Sequence, residues 1–569
     1  MNADQTSNDV RAENGASSSA EAPQPAVNTK DEQRQKLFQA LFDLFRESLK
    51  KQWTLAELQQ LPLARRLLWL ANATYEQRSL YPLAWRQQFV RQARTLHSLT
   101  GFRDIRVLLY RWLRQMAQLP ATADLFVSAE PRLRRHLDRL AAAENIDLPT
   151  VTSPPPATSS PRHILTVDNP ETDDRDDALS FRRTETGEEI GVHVPNLTNF
   201  VLPGSEWDRW AEQVAVSAYL PHVTISMLPE AVNAAASLSA HAAREVLSFY
   251  FVREAGEIRF DRPACETIRI DHNAHYEEVE TWLETGAPGH WSRALPAWVA
   301  GAQQFEAARI AAGGRVFDRE QVDVRVDASG RVELRRYAQN SAARKTVAEW
   351  MIAANQAAAA FCHEHGLPCL YRTQENASAP EEEIGAEPEQ RFSRPQLSVQ
   401  RAPHRDLGLA GYTQVTSPLR RYVDLLMQRQ IITFLQEGAP RYSEEELRSA
   451  ASTLEFMSQR LQKLQSRAEF YYKCVYLSQH IGVPLPGEIC HSPAPARSVV
   501  LRLPELAVRL FVPQSCIKGL SMRQIPPYGT TMPVLASCLE MDADRALMVF
   551  QVKKAAGIMA GKQPGPTAR

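Results

Sequence analysis

The chain has 569 residues, 44% of them hydrophobic and 23% charged, with a formal net charge of −1. That is the make-up of an ordinary globular protein, of about three or four domains at this length. No apolar run approaches the roughly 18 residues of a membrane-spanning helix, and the polar N-terminus lacks the apolar core of a secretory signal.

Residues 1–35 are expected to form a disordered tail. Residues 36–148 read as a helical domain. KLFQALFDLFRESLKKQ has apolar residues at helical spacing, and Thr54 precedes Glu57 as in a capping box. IRVLLYRWLRQMAQL interleaves Arg with bulky apolar residues, and PRLRRHLDRLAAAE places Pro131 at a helix start. Periodicity does not separate a helix-turn-helix from a winged-helix arrangement here. Residues 61–145 hold fourteen Arg, no Lys and six acids, a local charge of 14 − 6 = +8 hidden by the whole-chain average. Arg without Lys suits phosphate and stacking contacts, although any single Arg is as well explained by a solvated helix face.

Residues 149–163, PTVTSPPPATSSPRH, read as a linker. A large mixed domain is expected over 164–482. HILTVD and IGVHVPNL are strand-like, and REVLSFYFVREAGEIRF is a hairpin turning at Ala255-Gly256. Helical patterns cover PAWVAGAQQFEAARIAA, KTVAEWMIAANQAAAAFCHEH, RYVDLLMQRQIITFLQ and the long EELRSAASTLEF…YLSQHI. The acidic, Pro-rich stretch 373–396 reads as a loop. Five short strands over 486–556 suit a small β-barrel of the OB class, and 557–569 a second disordered tail. The fold class is therefore α+β and multidomain.

Seven cysteines at irregular spacing, with no CxxC, suit free thiols in a cytoplasmic protein. Cys362-His363-Glu364-His365, with Cys369 nearby, matches no common zinc pattern and reads as a helix end.

Two strings carry chemistry. TVDNPETDDRDDALSF (166–181) packs six acids into the ten positions Asp168–Asp177. Such crowding is costly without a cation among the carboxylates. Hard oxygen ligands at that density select Mg²⁺ or Mn²⁺. A calcium-binding EF-hand is disfavoured, because position 6 counted from Asp168 is Asp173 where Gly is needed. A solvated acidic loop explains Glu171 and Asp173 but not the run straight into the apolar ALSF. The second string is YTQVTSPLRRYVDLLMQRQ (412–430). Ser417 reads as an N-cap and Pro418 as the first helical residue. Arg420 and Arg421 would then oppose the helix dipole, which favours an anion site, phosphate being the natural anion. Asp424 could pair with either Arg.

Together these strings resemble the ribonuclease II/R (RNB) family, whose pattern is Asp, five residues, Asp-x-Asp-Asp-Ala, then a distant Thr-Ser-Pro-Leu/Ile-Arg-(Arg)-Tyr. Here they are Asp168, Asp174, Asp176, Asp177 and Ala178, then Thr416 to Tyr422, with similar stretches at 204–221, 226–230, 347–355 and 407–414. The resemblance implies processive 3′→5′ hydrolysis of single-stranded RNA to nucleoside 5′-monophosphates with Mg²⁺. It implies metal binding by Asp168, Asp174, Asp176 and Asp177, with Asp176 needed for the chemical step and Arg420 on a phosphate. Tyr219 and Phe317 would stack on the 3′-terminal base, and Glu349 and Glu469 would line the terminal nucleotides. There are departures. His193-Val194-Pro195-Asn196 loses a family carboxylate, Val214 stands where an Arg is usual, and Gln428 where His is frequent. No paired cold-shock barrels are legible at the N-terminus. A catalytically weak RNA-binding or scaffold protein that keeps the fold is the alternative, and a phosphohydrolase of small nucleotides a third reading.

Overall fold

The computed structural model describes residues 29–75, 83–96, 105–116, 118, 125–127, 130–143, 162–315, 320–327, 329–338, 341–375, 394–492, 498–527, 530–543 and 547–555. Phe317 lies outside them, as do most of the expected linker, the C-terminal tail and the centre of the acidic loop. The chain forms two compact units, residues 1–100 with 108–121, and 101–107 with 122–569.

The first unit is helical. α1 (Thr29–Lys51) begins inside the stretch expected to be a disordered tail. It buries Phe38, Leu41, Phe42 and Phe45 on one stripe. The Thr54/Glu57 capping box opens α2 (Leu55–Gln59) as read from the sequence. α3 (Ala64–Tyr75), α4 (Leu83–Ala93) and α5 (Ile105–Gln115) follow. Trp112 on α5 packs edge-on to Phe45 and donates its indole N–H to Ser48 Oγ at 2.9 Å. Among the described residues of this unit there is no strand.

The second unit opens with α6 (Pro131–Ala142). The sequence reading grouped this helix with those before it, but Leu133, Phe126 and Val127 share a core with Ala218, Leu220, Ile225, Leu461 and Leu464. An amphipathic pattern shows that a face is buried, not against what.

The strands that follow are β1 (His163–Asp168), β2 (Ala178–Arg183), β3 (Glu188–Pro195), the short hairpin β4 (Ala218–Leu220) and β5 (Val223–Ile225), β6 (Ala243–Glu254), β7 (Glu257–Arg269) and β8 (His272–His275). Six of them form one sheet in the order β7-β6-β3-β2-β1-β8, antiparallel except for the parallel pair β1/β8. Ala255 and Gly256 both take positive φ, the requirement of a tight two-residue hairpin turn. Helices α7 (Glu206–Val214), α8 (Glu230–Ala236), α9 (Tyr276–Thr285), α10 (Trp291–Ala311), α11 (Ala342–Glu364), α12 (Tyr422–Glu437) and α13 (Glu444–Gln479) complete this part with two small hairpins. These are β9 (Glu320–Val326)/β10 (Val332–Ala338) and β11 (Tyr371–Thr373)/β12 (Gln396–Ser398). The main core lies between the sheet and helices α10–α13, around Trp298, Trp350, Phe249 and Phe251.

The C-terminal strands are β13 (Pro484–His491), β14 (Ser498–Leu503), β15 (Val508–Pro513), β16 (Ile517–Lys518), β17 (Met532–Asp542) and β18 (Leu547–Lys554). They form a curled six-stranded sheet, β15-β14-β13-β17-β18-β16, around their own core. Five strands and a small barrel of the OB class were expected. The sixth is two residues long, too short to carry a pattern. Among the described residues the edge strands β15 and β16 do not pair, so the sheet stays open.

Cys362 and Cys369 are buried at and beyond the end of α11, and none of the seven cysteines is paired in a disulfide. No helix among the described residues is long and apolar enough to cross a membrane.

Candidate active site

The acidic string folds as a loop between two neighbouring strands. β1 ends at Asp168 and β2 starts at Ala178, and the two run antiparallel with Leu165 opposite Leu179. Asp168 and Asp177 therefore stand at the same end of adjacent strands. Asp168 is held above the usual carboxylate range, at about 6, mainly by burial. Asp177 is pushed up to about 7 by burial and by the negative charge of Asp168. Asp168 Oδ2 is buried with no hydrogen-bond partner.

Asp176 is 4% exposed. Burial raises its pKa well above the ordinary 3.8, against the opposing pull of Arg420. Both its oxygens are engaged from the second string. Leu419 N–H donates to Oδ1 at 3.0 Å and Arg420 Nε to Oδ2 at 3.2 Å, across 244 residues of sequence. Arg420 also donates to Ser417 Oγ at 2.9 Å. Asp174 accepts from the Tyr219 hydroxyl at 3.1 Å, which ties strand β4 of the β4/β5 hairpin to the acids. Tyr219 stays 40% exposed.

The helix start differs from the sequence reading. Pro418–Arg420 form a turn, Arg421 is the N-cap, and α12 begins at Tyr422. The residues before it are held by tertiary bonds. Ser217 N–H donates to the Arg420 carbonyl at 3.0 Å, and Val216 bridges to Arg421. Asp424, buried in the first turn, pairs with Arg421 at 2.6 Å and accepts from Ser417 N–H at 2.8 Å. An acid there complements the helix dipole. The two arginines thus part company: Arg421 stabilises the helix entry, and Arg420 faces the acids.

Other expected site residues lie apart. Both Glu349 oxygens are taken by Arg309 in a buried ion pair, and Arg309 also caps the Leu407 carbonyl at 3.1 Å. Glu469 is exposed on α13, where burial raises its pKa while Lys473 lowers it and Asp323 adds to the rise. Neither makes a described contact with the four aspartates. Glu171 pairs with Arg335 and with Arg325 on the β9/β10 hairpin.

Three residues escaped the sequence reading. Tyr276, at the start of α9, has its pKa raised by burial and then by the charges of Asp177 and Asp168. Arg344 sits over the Tyr276 ring at 4.0 Å and donates to Asn169 Oδ1 at 2.6 Å, beside Asp168. Asn273 steadies Thr166, the residue that hydrogen-bonds Asp168. None has a local signature; they reach the site through β8, α9 and α11.

A hard divalent cation suits this donor set. The acids supply only oxygen, one of those oxygens is orphaned and buried, and two pKa values are raised by burial first and by neighbouring carboxylates second. Among the described residues no group of three or more acidic, His or Cys side chains is already closed on one point. Asp176 instead spends its charge on Arg420.

Sheet, acids and guanidinium together define an α+β protein with a carboxylate–arginine site. Comparison with known sequences identifies this part of the chain. The RNB domain family matches residues 160–387 and 389–437, so the chain carries an RNB domain. An uncharacterized ribonuclease of Synechocystis is 28% identical over 351 residues, 58% of this chain and 52% of that protein. The chain spans about half the length of the curated relatives it matches. Among solved structures, an active-site mutant of the Dss1 exoribonuclease from Candida glabrata superposes with a TM-score of 0.70 at 17% identity, covering 91% of this chain and 71% of that one. Mycoplasma genitalium RNase R in complex with ribose-methylated single-stranded RNA gives 0.62 at 17% identity, covering 79% and 78%. Yeast Ssd1, a pseudonuclease, gives 0.51 at 17% identity, covering 67% and 52%.

Proposed function

We propose that the protein is a Mg²⁺-dependent 3′→5′ exoribonuclease that hydrolyses single-stranded RNA to nucleoside 5′-monophosphates by a two-metal reaction. The observation that carries this reading is the hydrogen-bonded meeting of Asp176 with Leu419 and Arg420, which joins the two strings in one site. Asp168, Asp174 and Asp177, with Asp176, would hold Mg²⁺ or Mn²⁺. Such ions would supply Lewis acidity, lowering the pKa of a bound water and offsetting charge at a leaving 3′-oxygen. Arg420 presents a guanidinium to a phosphate at the same place, where it offsets charge developing on the phosphoryl oxygens. Tyr219 ties its hydroxyl to Asp174 and leaves its ring face for a base. Stacking of that kind tolerates any sequence, because every base has a π-face.

The test is single-stranded RNA labelled at the 5′ or the 3′ end, incubated with Mg²⁺ or with EDTA. A 5′ label should pass through a ladder of shortening products and a 3′ label should leave at once as a mononucleotide, both only with Mg²⁺. Asp176→Asn should keep RNA binding and lose more than about 100-fold in cleavage rate. RNA left intact by the wild type, yet bound, favours the catalytically weak RNA-binding protein instead.

A further inference from the structure

The RNA chemistry above uses only the second unit. The first unit has a feature of its own. At the start of α3 a surface pocket of about 790 Å³ is lined by Gln59, Leu61, Leu63, Arg65, Arg66 and Trp69, among others. Its volume lies in the range of small-molecule sites. Trp69 is 58% exposed, the most exposed of the first unit's large apolar side chains described. Burying an indole normally contributes much to stability, so one left in water on an otherwise well-packed helix calls for a reason. The flanking helical positions Leu67, Leu68 and Leu70 are all buried. The exposed stripe of α3 is therefore Arg65, Arg66 and Trp69, and the Arg65 guanidinium sits 5.6 Å from the Trp69 ring centroid.

The lining indicates the ligand. It has two cations, one flat aromatic ring and two amides (Gln59 and Gln118), and no acid among its residues. The first-unit sequence around it, residues 61–100 and 108–121, holds eight Arg, no Lys and one acid, a local charge of 8 − 1 = +7. A protein partner would call for a broad apolar face, whereas Trp69 is the one large apolar side chain exposed here among the described residues, with Leu61 and Leu63 half-buried beside it. A cation beside a stacking surface is the arrangement that takes a phosphate and an unpaired base together.

We propose that Trp69, Arg65 and Arg66 form a second single-stranded RNA site, in the N-terminal unit, with Trp69 stacking on a base and the two arginines pairing with the phosphates beside it. The site binds and does not cleave. Its arginines carry no sequence preference, so it would hold RNA of any composition and release it as salt rises.

The experiment measures binding of the full chain, in EDTA so that nothing is cut, to a fluorescent single-stranded RNA of roughly 20 nucleotides, longer than one such site covers. Trp69→Ala should weaken binding about 10-fold, and Trp69→Phe should restore most of it. The double variant Arg65→Glu, Arg66→Glu should weaken binding and lower the salt dependence by about two counterions. A blunt RNA duplex of the same length should bind Trp69→Ala and wild type alike. Unchanged affinity of Trp69→Ala for the single strand overturns the proposal and hands this face to a protein partner. Equal losses for duplex and single strand overturn the stacking role. Hydrolysis of a four-nucleotide RNA, followed alongside with Mg²⁺, should be the same in Trp69→Ala and wild type. Failure of the wild type to hydrolyse it counts against the exoribonuclease reading and leaves the binding comparison standing.

Discussion

Asp168 and Asp177 oppose folding for as long as both are ionised without a cation. The folded chain keeps their protons up to about 6 and about 7, while an unfolded carboxyl releases its proton near 3.8. The folded state therefore binds more protons across that window, and stability contributed by these groups falls as pH rises from about 4 to about 7. Melting temperatures in EDTA should show this as a downward slope that flattens in an Asp168→Asn, Asp177→Asn variant. Mg²⁺ should raise the melting temperature of the wild type more at pH 7 than at pH 5, and a pH-independent Mg²⁺ effect would contradict the assignment. The neighbouring arginines separate by readout. Arg421→Ala removes a bidentate pair to a buried Asp424 and should lower the melting temperature. Arg420→Ala should leave the melting temperature nearly unchanged, since it frees Asp176 to take up a proton, but should slow RNA hydrolysis by about 100-fold or more. At this scale the four aspartates and Arg420 were legible because each lies in a short string whose charge pattern is unexplained by its own element. Tyr276, Arg344 and Asn273 were not, because the first sits at an ordinary helix start and the others look like surface polar residues until β8 and α11 are placed. Glu349, which the family resemblance sets beside the terminal nucleotides, forms a buried ion pair with Arg309, a partner 40 residues away that no local pattern announces.

Among the elements, the β4/β5 hairpin has the closest tie to function and the least stability of its own. Two three-residue strands do not hold together unaided. Ala218, Leu220 and Ile225 are covered by Phe126, Val127 and Leu133, while His136 donates from Nε2 to the Ser226 carbonyl at 2.9 Å. Burial lowers the His136 pKa, against the opposing pull of its backbone hydrogen bonds. The Glu130 carboxylate then pins the start of α6 to Arg460 at 2.7 Å. A chain that begins at Thr122 should keep its hairpin and its hydrolysis of short RNA, whereas one that begins at Glu144 should lose thermal stability and the contribution of Tyr219. Leu133→Ala should destabilise by about 2–5 kcal/mol in denaturant unfolding. The long helices α1, α10, α11, α12 and α13 and the long strands β6 and β7 were legible because their apolar periods run for many residues, and the Ala255-Gly256 turn because two adjacent small residues interrupt a strand pattern; the shorter α4, α7, α8 and α9 were not read. The start of α12 was misplaced by four residues, since Ser-Pro is a strong local signal and the β-bridge of Arg421 to Val216 that overrides it is tertiary. The partner of α6 was missed for the same reason.

At the scale of the whole second unit, α13 is the shared member. Its 36 residues span about 54 Å. Gln465 donates to the Tyr219 carbonyl at 3.2 Å, and two turns on Lys473 reaches the Ala507 carbonyl at 3.3 Å. Leu477 belongs to the core of the C-terminal sheet, and Leu461 and Leu464 to that of the β4/β5 hairpin. One backbone thus sets the relative phase of two separate cores. An added residue rotates everything downstream by about 100° and advances it by about 1.5 Å. One alanine inserted after Ser466 should therefore lower the melting temperature sharply, while Ser466→Ala, at an exposed position, should not. The same geometry constrains how such a chain can change over generations. Substitutions along the exposed face of α13 are individually cheap, but its length is not free to drift one residue at a time, because the helix is a ruler and the distance between its marks is part of what the fold has to inherit.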